Sequence, residues 1–370
     1  MKEQTSLLAK KYSAQKNIVK ISGVIVALLY LLFMIFAGSN IVNFYLTLIT
    51  TNQYLLIAFY VFSFILVLDL LTIPLNFYGG FVLEHIFKLS NQTLMGWIKD
   101  ELKKFFLSII LLVFLVEIIY VFLRNFPDLW WIFTSVFWIL FSIVLAKLAP
   151  VLLFPLFYKI IPVDREDVKD SLVALAEGTG IAIEGVYKIN LSKNTKKANA
   201  ALAGLGSTRR VLLGDTLLDS YSVDEIKSVF AHEIGHHVYN HVWKLLAIGV
   251  VTGFSGFALC HFVLINVITI FGYQFIHDIA AFPLLCLVLS AFGLILLPIQ
   301  NAFSRKWERA CDLYAIQKTN NPQAFISAMN KLAEQNLADR EPNRLIEFLF
   351  YDHPPISKRI DMAKNFHNLI

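Results

Sequence analysis

The chain has 370 residues, 57% of them hydrophobic and only 16% charged, with a net charge of +5 and a mean hydropathy of +0.63. An ordinary soluble enzyme carries roughly 45–50% apolar and about 25% charged residues, so this balance excludes a water-soluble globular fold and indicates an integral membrane protein whose surroundings are the lipid bilayer. No nucleic-acid partner is expected. The three cysteines, Cys260, Cys286 and Cys311, are scattered without C-x-x-C spacing, which suggests neither a disulfide framework nor a cysteine metal site.

In chain order, Lys2, Lys10, Lys11, Lys16 and Lys20 precede an apolar run from about Ile21 to Ala37. Ala37-Gly38-Ser39 imitates a signal-cleavage site, but the run is longer than the ~7–15 residues of a signal core, so it reads as a first span. Further spans are expected at about Tyr54–Leu75, Phe105–Leu123, Leu129–Pro150, Leu245–Phe271 and Ala281–Phe303, each near the ~20 apolar residues that a bilayer requires. The presumed loops at 38–53 and 272–280 lack Lys and Arg, and that at 124–128 has only Arg124, whereas 76–104 and 155–244 are basic. The positive-inside rule then places both termini and the 155–244 segment in the cytoplasm.

Asp69 and Lys147 fall near cytoplasmic helix ends, where they could pair or snorkel. Glu117 is nearer mid-span and could line an internal polar cavity. Residues 96–106 read as an interfacial amphipathic lead-in to the third span.

Pro150, Pro155 and Pro162 are expected to end the fourth span. A helix follows, with Asp164 as N-cap, Val168, Leu172 and Leu175 on one face, and an end at Gly178-Thr179-Gly180. Short β-like runs cover Val186–Leu191, Ala198–Leu205 and Val211–Leu213, the last after a turn at Gly206-Ser207-Thr208. Lys193, Lys196 and Lys197 read as a solvated hairpin between the first two.

Ser222 and Glu225 then form an S-x-x-E capping box. On the helix they start, Ile226, Phe230, Ile234, His237 and His241 share one side, and His232 and His236 another. The stretch His232-Glu233-Ile234-Gly235-His236 is H-E-x-x-H, whose two imidazoles can bind one zinc ion while the glutamate activates the attacking water. The positions that a three-histidine site would fill with Gly and His are Tyr239 and Val242, so a third ligand must come from elsewhere. Glu308 follows the sixth span, with Asp312 one turn beyond it on the same face. They could supply a carboxylate ligand and an acceptor for the second N–H of a zinc histidine; taken alone, the same residues would suit a charged, solvated helix turn. Two spans between the motif and Glu308 return both to one side of the membrane. His353-Pro354-Pro355, taken alone, reads as a rigid turn before the last helix.

These motifs, with Ser304-Arg305 ahead of Glu308 and Asp312, and His353-Pro354-Pro355 ahead of Arg359, resemble the membrane gluzincin peptidases typified by the CAAX prenyl endopeptidase. Asn199-Ala200, the run Val211–Leu218, Asn91-Gln92-Thr93-Leu94 and Trp97-Ile98-Lys99-Asp100 extend the resemblance over roughly residues 54–365. It implies His232, His236 and Glu308 as zinc ligands, Glu233 as general base and Asp312 as the support of a ligand. It also implies His353 as the group that steadies the oxyanion or donates a proton, Arg359 as its support, and Asn199 and Ala200 on an edge strand that holds the substrate backbone. The family's helices surround an intramembrane chamber, and its eukaryotic members have seven spans where six are counted here.

The expected fold is mostly α: a helical membrane protein of about six spans with a small cytoplasmic α+β zinc-protease domain. Residues 1–154 form a membrane domain of four spans, and residues 155–370 the peptidase domain with two more. The expected activity is hydrolysis of peptide or protein substrates, lipidated or not, with one zinc per chain. Three readings stay open: C-terminal proteolysis of prenylated CAAX proteins, quality control of membrane proteins, and a non-catalytic scaffold or transporter that keeps the motif.

Overall fold

The computed structural model describes residues 2–181, 185–204 and 209–366; the expected turn at 206–208 lies outside them. Helix α1 (Lys2–Phe33) passes through a π-turn at Met34–Gly38 into α2 (Ser39–Ile49). Together they form a continuous rod, of which Gln4–Ile49 is the first of six candidate spans among the described residues. The loop expected at 38–53 is therefore helical as far as Ile49. Ser39, Asn40, Asn43 and Thr47 lower the local hydropathy, but two of the hydroxyls find acceptors within the fold: Thr47 Oγ1 donates to Phe44 O of its own helix at 2.7 Å and Ser39 Oγ to Ala280 O across the bundle at 2.5 Å. The connection shrinks to residues 50–52, and the Asn52 side chain caps α3 (Gln53–Phe77) by accepting from Tyr54 N and Leu55 N.

A second π-turn joins α3 to α4 (Leu83–Ile86). The amphipathic lead-in at 96–106 is the first part of α5 (Leu94–Asn125) itself, which Thr93 caps. Helix α6 (Trp130–Leu148) runs through a π-turn at Ala149–Leu153 into α7 (Phe154–Phe157). Pro150 and Pro155 do not stop this span: Pro150 lies in the π-turn and Pro155 at the start of α7, where the change of helical register accommodates the missing N–H. Asp69 and Lys147 do not pair among the described residues. Glu117 is half-buried on α5, with Oε2 buried and unbonded.

The polar insert starts with a strand that the sequence does not announce, β1 (Ile160–Pro162). Helix α8 (Glu166–Ala176) buries Val168, Leu172 and Leu175 as expected. Its N-cap is Arg165 rather than Asp164, which pairs with Lys188 instead. Strands β2 (Gly185–Ile189), β3 (Ala200–Ala203) and β4 (Arg210–Gly214) complete a four-stranded sheet of order β1-β2-β4-β3. Because β4 lies between β2 and β3 in the sheet, the basic stretch after β2 is a crossover and not a hairpin. Lys193 and Lys196 are exposed, but Lys197 reaches into the membrane half, 2.8 Å from Glu84 and 2.7 Å from Tyr12 Oη. Beside it, Ser90 pairs with Thr195, and Asp100 accepts from Gln92 and Asn194. The crossover after β2 is thus tied to the membrane helices by partly buried polar bonds.

After α9 (Asp215–Leu218) come α10 (Val223–Val238), α11 (His241–Val267), α12 (Phe282–Thr319), α13 (Pro322–Gln335), α14 (Arg344–Phe350) and α15 (Ile356–Lys364). One core lies among the spans, centred on Tyr60, Leu123, Trp130 and Cys260. A second joins β4, α8, α10, α12 and α13 through Leu172, Leu213, Ile226, Phe230, Ile234, Ala315 and Phe325.

Candidate active site

Helix α10 begins as its sequence dictates: Ser222 Oγ accepts from Glu225 N, and the Glu225 carboxylate accepts from Ser222 N at 2.7 Å. Ile226, Phe230 and Ile234 are 0%, 1% and 0% exposed, which fixes the rotation of the helix and directs His232, Glu233 and His236 away from that core. The helix does not continue into the fifth span. Asn240 adopts the left-handed conformation (φ 56°, ψ 35°) and ends it, a geometry that asparagine tolerates better than most residues. His241 is therefore carried to His236 and not onto the Ile234 face. His237 contacts Arg209.

Helix α12 meets α10 at Gly235. A β-carbon there would lie 3.0 Å from Cys311 Cα and 3.1 Å from its Cβ, so the absent side chain sets the approach of the two helices. This approach brings Glu308 and Asp312, 4% and 0% exposed, to the histidines. Glu308 Oε2 is 3.0 Å from His232 Nε2, Glu308 Oε1 is 3.2 Å from His236 Nε2, and the two Nε2 atoms are 3.3 Å apart. On the far side of His232, Nδ1 lies 2.8 Å from Asp312 Oδ1. Arg359 of α15 holds Asp312 with two bonds, Nε donating to Oδ2 at 2.8 Å and Nη2 to Oδ1 at 2.5 Å.

Arg359 thus faces Asp312; among the described residues it makes no hydrogen bond to His353. His353 comes to the other side of the cluster, its Nε2 3.2 Å from Glu308 Oε2 and its Nδ1 2.9 Å from Asp352. Its side chain is 51% exposed, on the open face of the site. Glu233 is half-buried and unbonded among the described residues. Asn199 precedes β3, its carbonyl accepting from Gly214 N at 2.9 Å, and Ala200 opens the strand. Since β3 ends the strand order, its outer backbone edge has no strand partner among the described residues.

Burial alone would push the His232 imidazole down, but its bonds with Asp312 and then Glu308 outweigh this and hold its pKa up at about 9. Burial also opposes charge on His353, and Asp352 followed by Glu308 raises it nevertheless. Such an excess of negative charge around imidazole nitrogens suits a cation. One donor atom from each of His232, His236 and Glu308 lies within 4.8 Å of the others. Glu308 Oε2 is buried without a hydrogen-bond donor despite the two Nε2 atoms near it. A two-imidazole, one-carboxylate set of this kind fits zinc.

Three parts of the site escape the sequence. They are the Arg359–Asp312 bond, the Asp352–His353 pair, and the placement of His241 against His236. The first two join residues that are individually visible, but their contact depends on how α15 folds over α12. The third depends on the break at Asn240.

Two family models match the chain: Peptidase family M48 over residues 162–367, and the CAAX prenyl protease N-terminal family, with five membrane helices, over residues 1–159. In this chain the latter stretch supplies four of the six candidate spans, one of 46 residues. The chain is 28% identical over 373 residues to the "Uncharacterized metalloprotease YhfN" of Bacillus subtilis, covering 100% of this chain and 87% of that one. It is 30% identical over 315 residues to "CAAX prenyl protease 1" of Saccharomyces cerevisiae, covering 79% and 68%. The crystal structure of Saccharomyces mikatae Ste24p superimposes with a TM-score of 0.86 over 98% of this chain and 89% of that one, at 24% identity. The chain therefore belongs to peptidase family M48 and is a multi-span membrane metallopeptidase.

Proposed function

We propose that this chain hydrolyses peptide bonds with one zinc ion held by His232, His236 and Glu308. The observation that carries this reading is the convergence of the two Nε2 atoms on the buried Glu308 carboxylate. When bound, the ion supplies Lewis-acid polarisation of the scissile carbonyl and acidifies water. Asp312 accepts the Nδ1 proton of His232 and so fixes its tautomer and ring orientation. The resemblance implies Arg359 as the support of His353; its two bonds to Asp312 support instead a part in orienting Asp312.

Glu233 is the general base. Its carboxylate takes a proton from the attacking water and passes it to the leaving amine. His353 stands on the open face and donates to the developing oxyanion or to the departing nitrogen. The outer edge of β3, beginning at Asn199 and Ala200, takes the substrate backbone as an added strand. Residues 1–154 act as the membrane domain and 155–370 as the peptidase domain. The lysine bias supports a cytoplasmic position for the site and both termini.

For the substrate, the names of the eukaryotic relatives favour C-terminal proteolysis of prenylated CAAX proteins. The B. subtilis relative, which matches over the whole chain, carries no such substrate in its name and leaves clearance of membrane proteins as the second reading. A farnesylated C-terminal peptide and its unlipidated twin separate them in one assay. The prenyl reading expects kcat/KM to be at least about tenfold higher for the lipidated peptide, the effect of roughly 1.4 kcal/mol of differential binding. Equal values would transfer the assignment to the second reading.

A further inference from the structure

An imidazole that gives its Nε2 lone pair to an ion carries its proton on Nδ1 and needs an acceptor there. His232 has a carboxylate in that place, Asp312 at 2.8 Å. His236 has none. Its Nε2 is turned toward His232 and Glu308, and its Nδ1 lies 3.1 Å from Nδ1 of His241. Two ring nitrogens at this distance bond only as one donor and one acceptor. The His241 ring is held for this contact: it is 2% exposed, stacks on Trp307 with centroids 5.1 Å apart and planes at 17°, and is turned toward His236 by the left-handed Asn240.

We propose that His241 is the positioning residue of His236. It accepts the Nδ1 proton of His236 on its own Nδ1, carries its own proton on Nε2, and thereby fixes the tautomer and orientation of the second metal histidine. The two histidines of the motif are then supported differently, His232 by a carboxylate and His236 by a neutral ring. The inference rests on the metal site proposed above. Cys311 Sγ is 3.6 Å from the same His241 nitrogen, and His236, His241 and Cys311 could themselves surround an ion. That use would require a second metal per chain and a deprotonated His236 Nδ1, and it is the rival outcome.

The test uses the full-length protein purified in detergent with zinc, challenged with a graded chelator. Metal content is read by mass spectrometry, and the d–d spectrum is recorded after cobalt substitution. In His241→Asn the side-chain oxygen falls near the original Nδ1, whereas His241→Leu removes the acceptor and His241→Gln places it too far out. The proposal expects one zinc per chain in the unaltered protein. Chelator resistance should fall ~10–100-fold in H241L and H241Q, the range for loss of a group behind a ligand, with a shifted cobalt spectrum. H241N should restore most of the resistance. Should H241L fail to fold, the contrast between H241N and H241Q decides alone. Equal behaviour of H241N and H241Q, or undiminished resistance in H241L, would overturn the proposal. So would two metals per chain with one lost in H241L. An unaltered protein that binds no metal would instead remove the metal site itself.

Discussion

Glu233→Gln should leave the metal content unchanged and lower kcat about 10³-fold, within the 10²–10⁴-fold range of a positioned general base. Glutamine preserves the volume and the α10 packing but cannot take a proton from water. The three proposed ligands are other residues, and Glu233 bonds to none of them. KM should move little, because the lost interaction belongs to the transition state. Peptide hydrolysis by purified protein in detergent, with metal content measured on the same sample, checks both halves. Undiminished cleavage in the variant would remove Glu233 from the mechanism.

Glu308→Gln should have the opposite signature: the metal is lost, and activity with it. Among the described residues the carboxylate is the one anionic group paired with both Nε2 atoms, and a neutral amide supplies neither the charge nor both oxygens. Metal affinity should fall about 100-fold or more, beyond the ~10–100-fold typical of outer groups, and saturating zinc should restore part of the turnover. In contrast, zinc should not rescue Glu233→Gln. Full metal content in Glu308→Gln would mean that the ion is held elsewhere.

Much of this site is legible in the sequence because it depends on single-helix geometry. The capping box at Ser222 and the apolar positions 226, 230 and 234 fix where α10 starts and which side it buries. The separation of His232 and His236 from that side follows from the helical period alone. Hydropathy recovers all six spans, and their even number between the motif and Glu308 brings both to one side.

What escapes depends on partners far away in the chain. Periodicity extends a helix until a breaker intervenes, and asparagine is an ambiguous breaker, so the α10–α11 break at Asn240 stays hidden and His241 is misplaced. Gly235 looks like an indifferent residue of the motif until Cys311 is seen against it. Lys197 resembles any solvated lysine because Glu84 and Tyr12, its partners, lie over a hundred residues away. Ser39 and Thr47 help 39–47 imitate a loop because a hydropathy window cannot see the interhelical and intrahelical acceptors of their hydroxyls.

The central claim is that one ion at His232, His236 and Glu308 is required for peptide hydrolysis. It is tested most directly by removing that ion from the full-length protein with a chelator and titrating zinc back. Metal content and cleavage of an unlipidated peptide are followed together. Both should fall to background in parallel and return in parallel, saturating at one zinc per chain. Cleavage that persists in protein shown to be metal-free would contradict it.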